Sequence, residues 1–330
     1  MDKTDVRNEG ALRYAQHGFG MGNRVIRLCI CSLAAVLALY GWAAAEPHGF
    51  GDAVQAALGS RPGGAVVIRV KDGAVLATAN PDTSCRQLHC PGSIFKLVTA
   101  FAALQESAVS PTEVFQCTGQ KKIADAVLHC TLPNGHGRIG LINAIAQSCN
   151  VTFYELSLRV SSDKLLDYAR AFGLHRPCAG FSGEQASGIL PACPVHPAEA
   201  ARFGIGQASG FKITLLEAAE MVRQVARGRV QGITDGAGTR SNLEIVRRGM
   251  REAVVTGTCR LAALKNVEVA GKTGSPEDTD DPDSRCAWFV GFAPYEKPEI
   301  VVVVYLARGH GGASAAPIAR RIFASYFGEQ

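Results

Sequence analysis

Strand-forming sequence lies at the two ends of this chain with helix-forming sequence between them, so a single sheet must pair segments from opposite ends. Residues 65–70 (Ala-Val-Val-Ile-Arg-Val) read as a strand, Asp72-Gly73 as a hairpin turn and 74–78 as its partner. At the far end, 266–275, 286–293 and 299–307 read as strands, the last carrying Ile-Val-Val-Val-Val-Tyr-Leu. Helical patterns fill 93–105, 139–147, 151–160, 213–228 and 242–256, and an amphipathic helix over 315–327 closes the chain. Phe115 to Leu132 reads as a small two-stranded excursion with Cys117 and Cys130 facing each other, and the Gly/Pro-rich stretch 173–197 as a loop or cystine-tied insert. Tight turns within each end favour antiparallel pairing. The expectation is an α/β (α+β) fold: an antiparallel five-stranded sheet sandwiched by helices, with a helical subdomain.

Residues 28–45 are apolar, follow Arg24 and Arg27, and end in Ala43-Ala44-Ala45 before Glu46-Pro47. Residues 1–45 therefore read as a signal peptide or a membrane anchor, and 46–330 as one exported globular domain, in the periplasm or on the outer face of the cytoplasmic membrane. The net charge of +5 falls to about +3 once the five basic and three acidic residues of the leader are removed. That balance is too mild and too scattered for a nucleic-acid partner.

Nine cysteines remain beyond the leader, and none of their spacings gives a Cys-x2-Cys pair or a paired-His motif, so no metal site is expected. In an oxidising compartment disulfides are the expected fate. Short loops suggest Cys85–Cys90, Cys117–Cys130, Cys178–Cys193 and Cys259–Cys286, leaving Cys149 as the free thiol.

Lys96 is the only charged residue between Ser93 and Gln105, in a helix apolar almost all round and hence buried. Pro91-Gly92 sets the helix start, so the cation faces the positive end of the helix dipole. Stability alone would not choose lysine there. Chemistry would: residues three apart share a helix face, and a lysine with a depressed pKa activates a neighbouring serine. Ser-x-x-Lys also occurs at Ser161/Lys164, among polar residues, and at Ser209/Lys212, across Gly210; only Ser93/Lys96 has the buried helical context.

Two further short motifs suit the same chemistry. Ser148-Cys149-Asn150 sits at a helix break, where a hydroxyl and an amide can enter a cleft, although a helix cap is the plainer reading. Gly271-Lys272-Thr273-Gly274-Ser275 ends a strand and supplies a cation, two hydroxyls and a glycine that a substrate can approach closely. An acidic run (Glu277, Asp278, Asp280, Asp281, Asp283) follows and reads as a solvated hairpin tip.

Ser-x-x-Lys, Ser-x-Asn and Lys-Thr-Gly in that order resemble the signature of penicillin-binding proteins and related β-lactamases. Pro-Gly-Ser-Ile-Phe-Lys-Leu-Val (91–98), His136-Gly137, Gly204-Ile-Gly-Gln207 followed by Thr214, and Ala287-Trp-Phe-Val-Gly-Phe292 extend the similarity over roughly 63–325, with the chain resembling a transpeptidase domain standing alone. The resemblance implies the β-lactamase/transpeptidase-like fold. It also implies a serine D,D-transpeptidase or D,D-carboxypeptidase of peptidoglycan, acylated by D-Ala-D-Ala stem peptides and by β-lactams.

By the same resemblance, Ser93 is the nucleophile and Lys96 its base. Ser148 relays a proton under the influence of Lys272, Asn150 holds the substrate amide, and Thr273 with Ser275 receives the terminal carboxylate beside Gly274. Backbone N–H groups of Ser93 and Ser275 form the oxyanion hole. No metal or organic cofactor is implied; cell-wall synthesis proteins are the implied partners. The alternatives are a serine β-lactamase, for which Glu184 and Glu199 lack the spacing of a deacylating glutamate, and a non-hydrolytic β-lactam or muropeptide sensor.

Overall fold

The computed structural model describes residues 49–276 and 285–329; the expected leader, 1–45, and the acidic run 277–283 lie outside them. Five strands form the central sheet: β1 (Gly63–Arg69), β2 (Val75–Ala79), β7 (Ala270–Gly274), β8 (Ala287–Ala293) and β9 (Ile300–Leu306). Their order is β2-β1-β9-β8-β7 with every pair antiparallel, so the N-terminal hairpin docks on the last strand. The junction runs from Gly63 opposite Leu306 to Arg69 opposite Ile300.

Both faces of this sheet are buried, and the period of two divides each strand between two cores. Val66, Ile68, Trp288, Val290, Val301 and Val303 belong to one; Ala65, Val67, Phe289, Val302 and Val304 belong to the other. An unbroken apolar run such as 300–306 is what a strand covered on both sides needs. Burying each valine contributes about 1.5–3 kcal/mol. One face is covered by α1 (Phe50–Leu58) and the closing helix α9 (Ala316–Phe327), the other by α7 (Leu215–Arg227). Helix α7 starts in a capping box, Thr214 accepting from the Glu217 N–H while the Glu217 carboxylate accepts from the Thr214 N–H.

The helical subdomain comprises α2 (Lys96–Gln105), α3 (Leu141–Ala146), α4 (Asn150–Val160), α5 (Ser162–Ala171), α6 (Pro197–Gly204) and α8 (Ala237–Val255). Helix α2 packs on every side: Lys96 to Leu104 are all buried, as its composition requires. Helix α6 starts at the end of the 173–197 stretch expected to be a loop, in sequence for which no helix was expected; Pro197 at its first turn and the alanines after it start a helix that the preceding Gly/Pro content hides.

The region 114–140 departs from the expected single excursion. It forms two ribbons, β3 (Val114–Cys117) with β6 (Gly137–Gly140), and β4 (Gln120–Ile123) with β5 (Ala126–His129). Cys117 therefore pairs with Gly137 rather than facing Cys130 across a hairpin.

None of the expected disulfides is formed among the described residues. Cys259 and Cys286 sit in the two different cores, on opposite sides of the sheet. The Cys90 thiol donates to the Gly206 carbonyl at 3.2 Å while Cys85 is buried in the core, and Cys178 is buried where Cys193 is exposed. Cys117 and Cys130 instead converge on His136.

Candidate active site

Three elements meet where the sheet edge touches the helical subdomain. Ser93 lies in the 3-10 turn Gly92–Phe95 that leads directly into α2, so Lys96 is the first residue of the α-helix proper. Gly206 closes on this turn from the far side: the Gly92 N–H donates to the Gly206 carbonyl at 3.0 Å. With φ at +73° and a Cβ position 2.3 Å from the Gly92 oxygen, position 206 admits only glycine without rearrangement.

Ser148 occupies the link between α3 and α4 in a left-handed conformation, φ +56°. A non-glycine residue held there is strained, and such strain collects at functional positions. The capping alternative for this segment does not hold, since the N-terminus of α4 has no side-chain cap. The Asn150 amide instead faces inward, its Oδ1 accepting from Lys96 Nζ at 2.6 Å and its Nδ2 donating to the His129 carbonyl at 3.1 Å. Lys272 comes from edge strand β7 and completes the group.

The two lysines converge on one hydroxyl. Lys272 Nζ donates to Ser148 Oγ at 2.8 Å and to the Thr273 carbonyl at 2.8 Å. Lys96 Nζ donates to Ser148 Oγ at 3.2 Å and to the Ser148 carbonyl at 2.8 Å, so in this state Lys96 is held by Ser148 and Asn150 rather than by Ser93. Both ammonium groups are fully buried. Burial, followed by the charge of Lys272, holds Lys96 well below the usual lysine range. Burial alone brings Lys272 down to about 8. An amine whose proton is held this weakly, buried beside a serine turn, suits general-base work.

A cavity of about 390 Å³ opens over this group, with Ser93, Asn150 and Ser275 in its wall together with Tyr154, Gln207 and Arg285. Ser275 Oγ accepts from the Gly311 N–H at 3.0 Å, which leaves its own proton free to donate. Thr273 is turned elsewhere: it is buried, absent from the cavity wall, and donates to Thr258 Oγ1 at 2.6 Å. Gly274 sits between Trp288, Ile94 and the Pro91 carbonyl, where a side chain would be 3.2–3.3 Å from all three. It ties the β7 edge to the turn that carries Ser93. A larger cavity of about 590 Å³, walled by Asp72, Arg176, Glu220 and Arg223 among others, holds none of these groups.

Some contributors carry no sequence signal. Thr258 anchors Thr273 through a hydroxyl contact, and the His129 carbonyl fixes both Asn150 and the Tyr154 hydroxyl, through groups that no motif marks. Gln207 and Thr214 lie in segments whose resemblance was noted; Gln207 lines the cavity, while Thr214 caps α7.

Comparison with known proteins identifies the family. The family model of the penicillin binding protein transpeptidase domain matches residues 63–324. The chain belongs to the penicillin-binding protein transpeptidase family. It is 28% identical over 266 residues to stage V sporulation protein D of Bacillus subtilis, covering 70% of this chain and 41% of that protein. It is 30% identical over 268 residues to the peptidoglycan D,D-transpeptidase PbpA of Mycobacterium tuberculosis, covering 70% of this chain and 54% of that protein. The chain thus spans about half the length of these curated relatives. Among solved structures, the ceftriaxone acyl-enzyme complex of penicillin-binding protein A from M. tuberculosis matches with a TM-score of 0.72 and 23% identity, over 84% of this chain and 77% of that one. In this chain Lys96 and Lys272 meet at Ser148 Oγ, while Ser93, Asn150 and Ser275 line the adjacent cavity.

Proposed function

We propose that this domain is an exported serine D,D-transpeptidase or D,D-carboxypeptidase of peptidoglycan, acylated by D-Ala-D-Ala stem peptides and by β-lactams. The observation that carries the reading is the convergence of Lys96 and Lys272 on Ser148 Oγ beside a cavity that Ser93 lines.

Lys96 in its neutral form takes the proton of Ser93 as Oγ attacks the carbonyl carbon of the scissile D-Ala-D-Ala bond. The oxyanion is held by the N–H groups of Ser93, at a helix N-terminus, and of Ser275. Lys96 passes the proton through Ser148 to the leaving nitrogen, and the C–N bond breaks to release D-alanine and leave an acyl ester on Ser93. An amine acceptor then gives a cross-link and water gives a shortened peptide, with the serine hydroxyl restored in both cases. Asn150 orients the substrate amide, and Ser275, whose proton is free, receives the terminal carboxylate. Cell-wall synthesis proteins are the partners this reading implies.

A class A β-lactamase would need a deacylating glutamate. Glu184 is exposed and pairs with Arg86, Glu199 pairs with Arg202, and no carboxylate is among the described residues of the cavity wall. The test is to incubate the protein with a D-Ala-D-Ala stem peptide, with and without an amine acceptor, and to analyse products by mass. Release of D-alanine with a cross-linked or shortened peptide is expected. Intact peptide from a folded protein would overturn the reading.

A further inference from the structure

Four metal-binding side chains converge behind the Ser148-Asn150 segment: Cys117, Cys130, His136 and Cys149, their donor atoms all within 4.8 Å of one another. The three thiols are buried and the imidazole is half-buried. His136 Nδ1 lies 3.6 Å from Cys117 Sγ and 3.5 Å from Cys130 Sγ, and Cys130 Sγ lies 3.9 Å from Cys149 Sγ.

These three distances match edges of a coordination tetrahedron. With zinc–sulfur bonds of about 2.3 Å and zinc–nitrogen bonds of about 2.0–2.1 Å, tetrahedral angles put sulfur about 3.8 Å from sulfur and about 3.6 Å from nitrogen. A disulfide would need its two sulfurs about 2.05 Å apart, and it would leave the imidazole and a third thiol unexplained.

The donors come from four separate segments, which is why no Cys-x2-Cys spacing reveals them. Cys117 ends β3, Cys130 follows β5, His136 precedes β6 and Cys149 immediately precedes α4. Gly119 and Gly135, both at positive φ, allow these strand ends to cross closely: a Cβ on Gly135 would sit 2.2 Å from the Cys117 carbonyl oxygen. The backbone N–H of Asn150 points at Cys130 Sγ at 3.3 Å, a contact of the kind that supports a ligating thiolate.

We propose that Cys117, Cys130, His136 and Cys149 form a structural zinc site that fixes the position of Ser148 and Asn150. All four coordination positions are filled by protein, which makes the site closed and structural rather than catalytic. Cys149 stands between the two site residues in sequence, so a metal bond to it anchors the strained link between α3 and α4. The three cysteines and the histidine act as positioning elements for the Ser148-Asn150 segment.

The test uses the full chain purified without chelator. Elemental analysis is expected to give about one zinc per chain, falling at least tenfold in Cys117→Ser and in His136→Ala and unchanged in Cys193→Ser, which alters an exposed thiol outside the cluster. Because the ligand variants can fail to fold, the unmutated protein is also stripped and refilled with Co²⁺. Tetrahedral ligand-field bands with thiolate charge transfer are expected, along with a higher melting temperature than the stripped form. A metal-free, folded protein that takes up no Co²⁺ overturns the proposal. So does a mass two hydrogens below the free-thiol value with a disulfide mapped to Cys117, Cys130 or Cys149. Neither readout depends on acylation of Ser93, so failure here leaves the transpeptidase reading standing, and the reverse also holds.

Discussion

Removing the charge of Lys272 should move the working pH of Lys96 upward. Both ammonium nitrogens contact Ser148 Oγ, at 3.2 Å and 2.8 Å, so they can be no farther apart than about 6 Å. At that distance two unit charges repel by about 2.8 kcal/mol at an effective dielectric of about 20, which favours loss of the Lys96 proton while Lys272 is charged. In the parent protein the second-order rate of acylation by benzylpenicillin should rise with pH as Lys96 loses its proton, at a pH well below the usual lysine range. It should fall again above about 8, where Lys272 loses the charge with which it holds Ser148. In Lys272→Met the acidic limb should move to higher pH and the alkaline limb at about 8 should disappear, on a maximum lowered by a hundredfold or so. Stopped-flow acylation between pH 5 and 10, each profile scaled to its own maximum, reads both limbs. An acidic limb that stays in place or moves down in Lys272→Met would refute the coupling of the two lysines through Ser148.

Two further outcomes follow from local geometry. Gly206→Ala places a methyl 2.3 Å from the Gly92 oxygen at φ +73° and breaks the hydrogen bond that clamps the nucleophile turn. The cost is about 2–3 kcal/mol, seen as a fall of about 4–10 °C in melting temperature together with slower acylation of Ser93. His89 stacks on Tyr305 at 3.9 Å, and burial pushes its pKa from 6.5 down to about 4. Its neutral form is therefore favoured by folding, so the associated stability is complete above about pH 6.5 and is lost progressively towards pH 4, up to about 3 kcal/mol. His89→Phe keeps the stack and should flatten this part of the denaturant-derived stability curve; an unchanged slope would contradict the assignment.

The parts of this protein that sequence discloses are those encoded by short spacing. Ser93 and Lys96 share one helical turn, Ser148 and Asn150 flank one break, and Lys272 to Ser275 end one strand, so each motif carries its own local geometry. The five strands were legible because runs such as 300–306 have no other stable home than a doubly covered sheet. Contacts made only by folding were not legible. Thr258 reaches Thr273 across 15 residues, and Cys117 reaches Cys149 through two ribbons whose pairing depends on glycines at positive φ. Loop length guided the expected disulfides, but burial on opposite faces of the sheet separates Cys259 from Cys286 whatever their spacing. Helix α6 was hidden for a related reason: its neighbours are loop-forming, while its eight residues take their stability from packing against α4.

The central claim is that Ser93 is the nucleophile of an acylating serine enzyme. Intact-mass spectrometry after adding benzylpenicillin, followed from seconds to hours with Ser93→Ala in parallel, tests it most directly. A single adduct of the mass of benzylpenicillin that persists on the parent protein and is absent from Ser93→Ala is the predicted result. A folded parent protein that gains no adduct, or a Ser93→Ala variant that gains the same one, would contradict it.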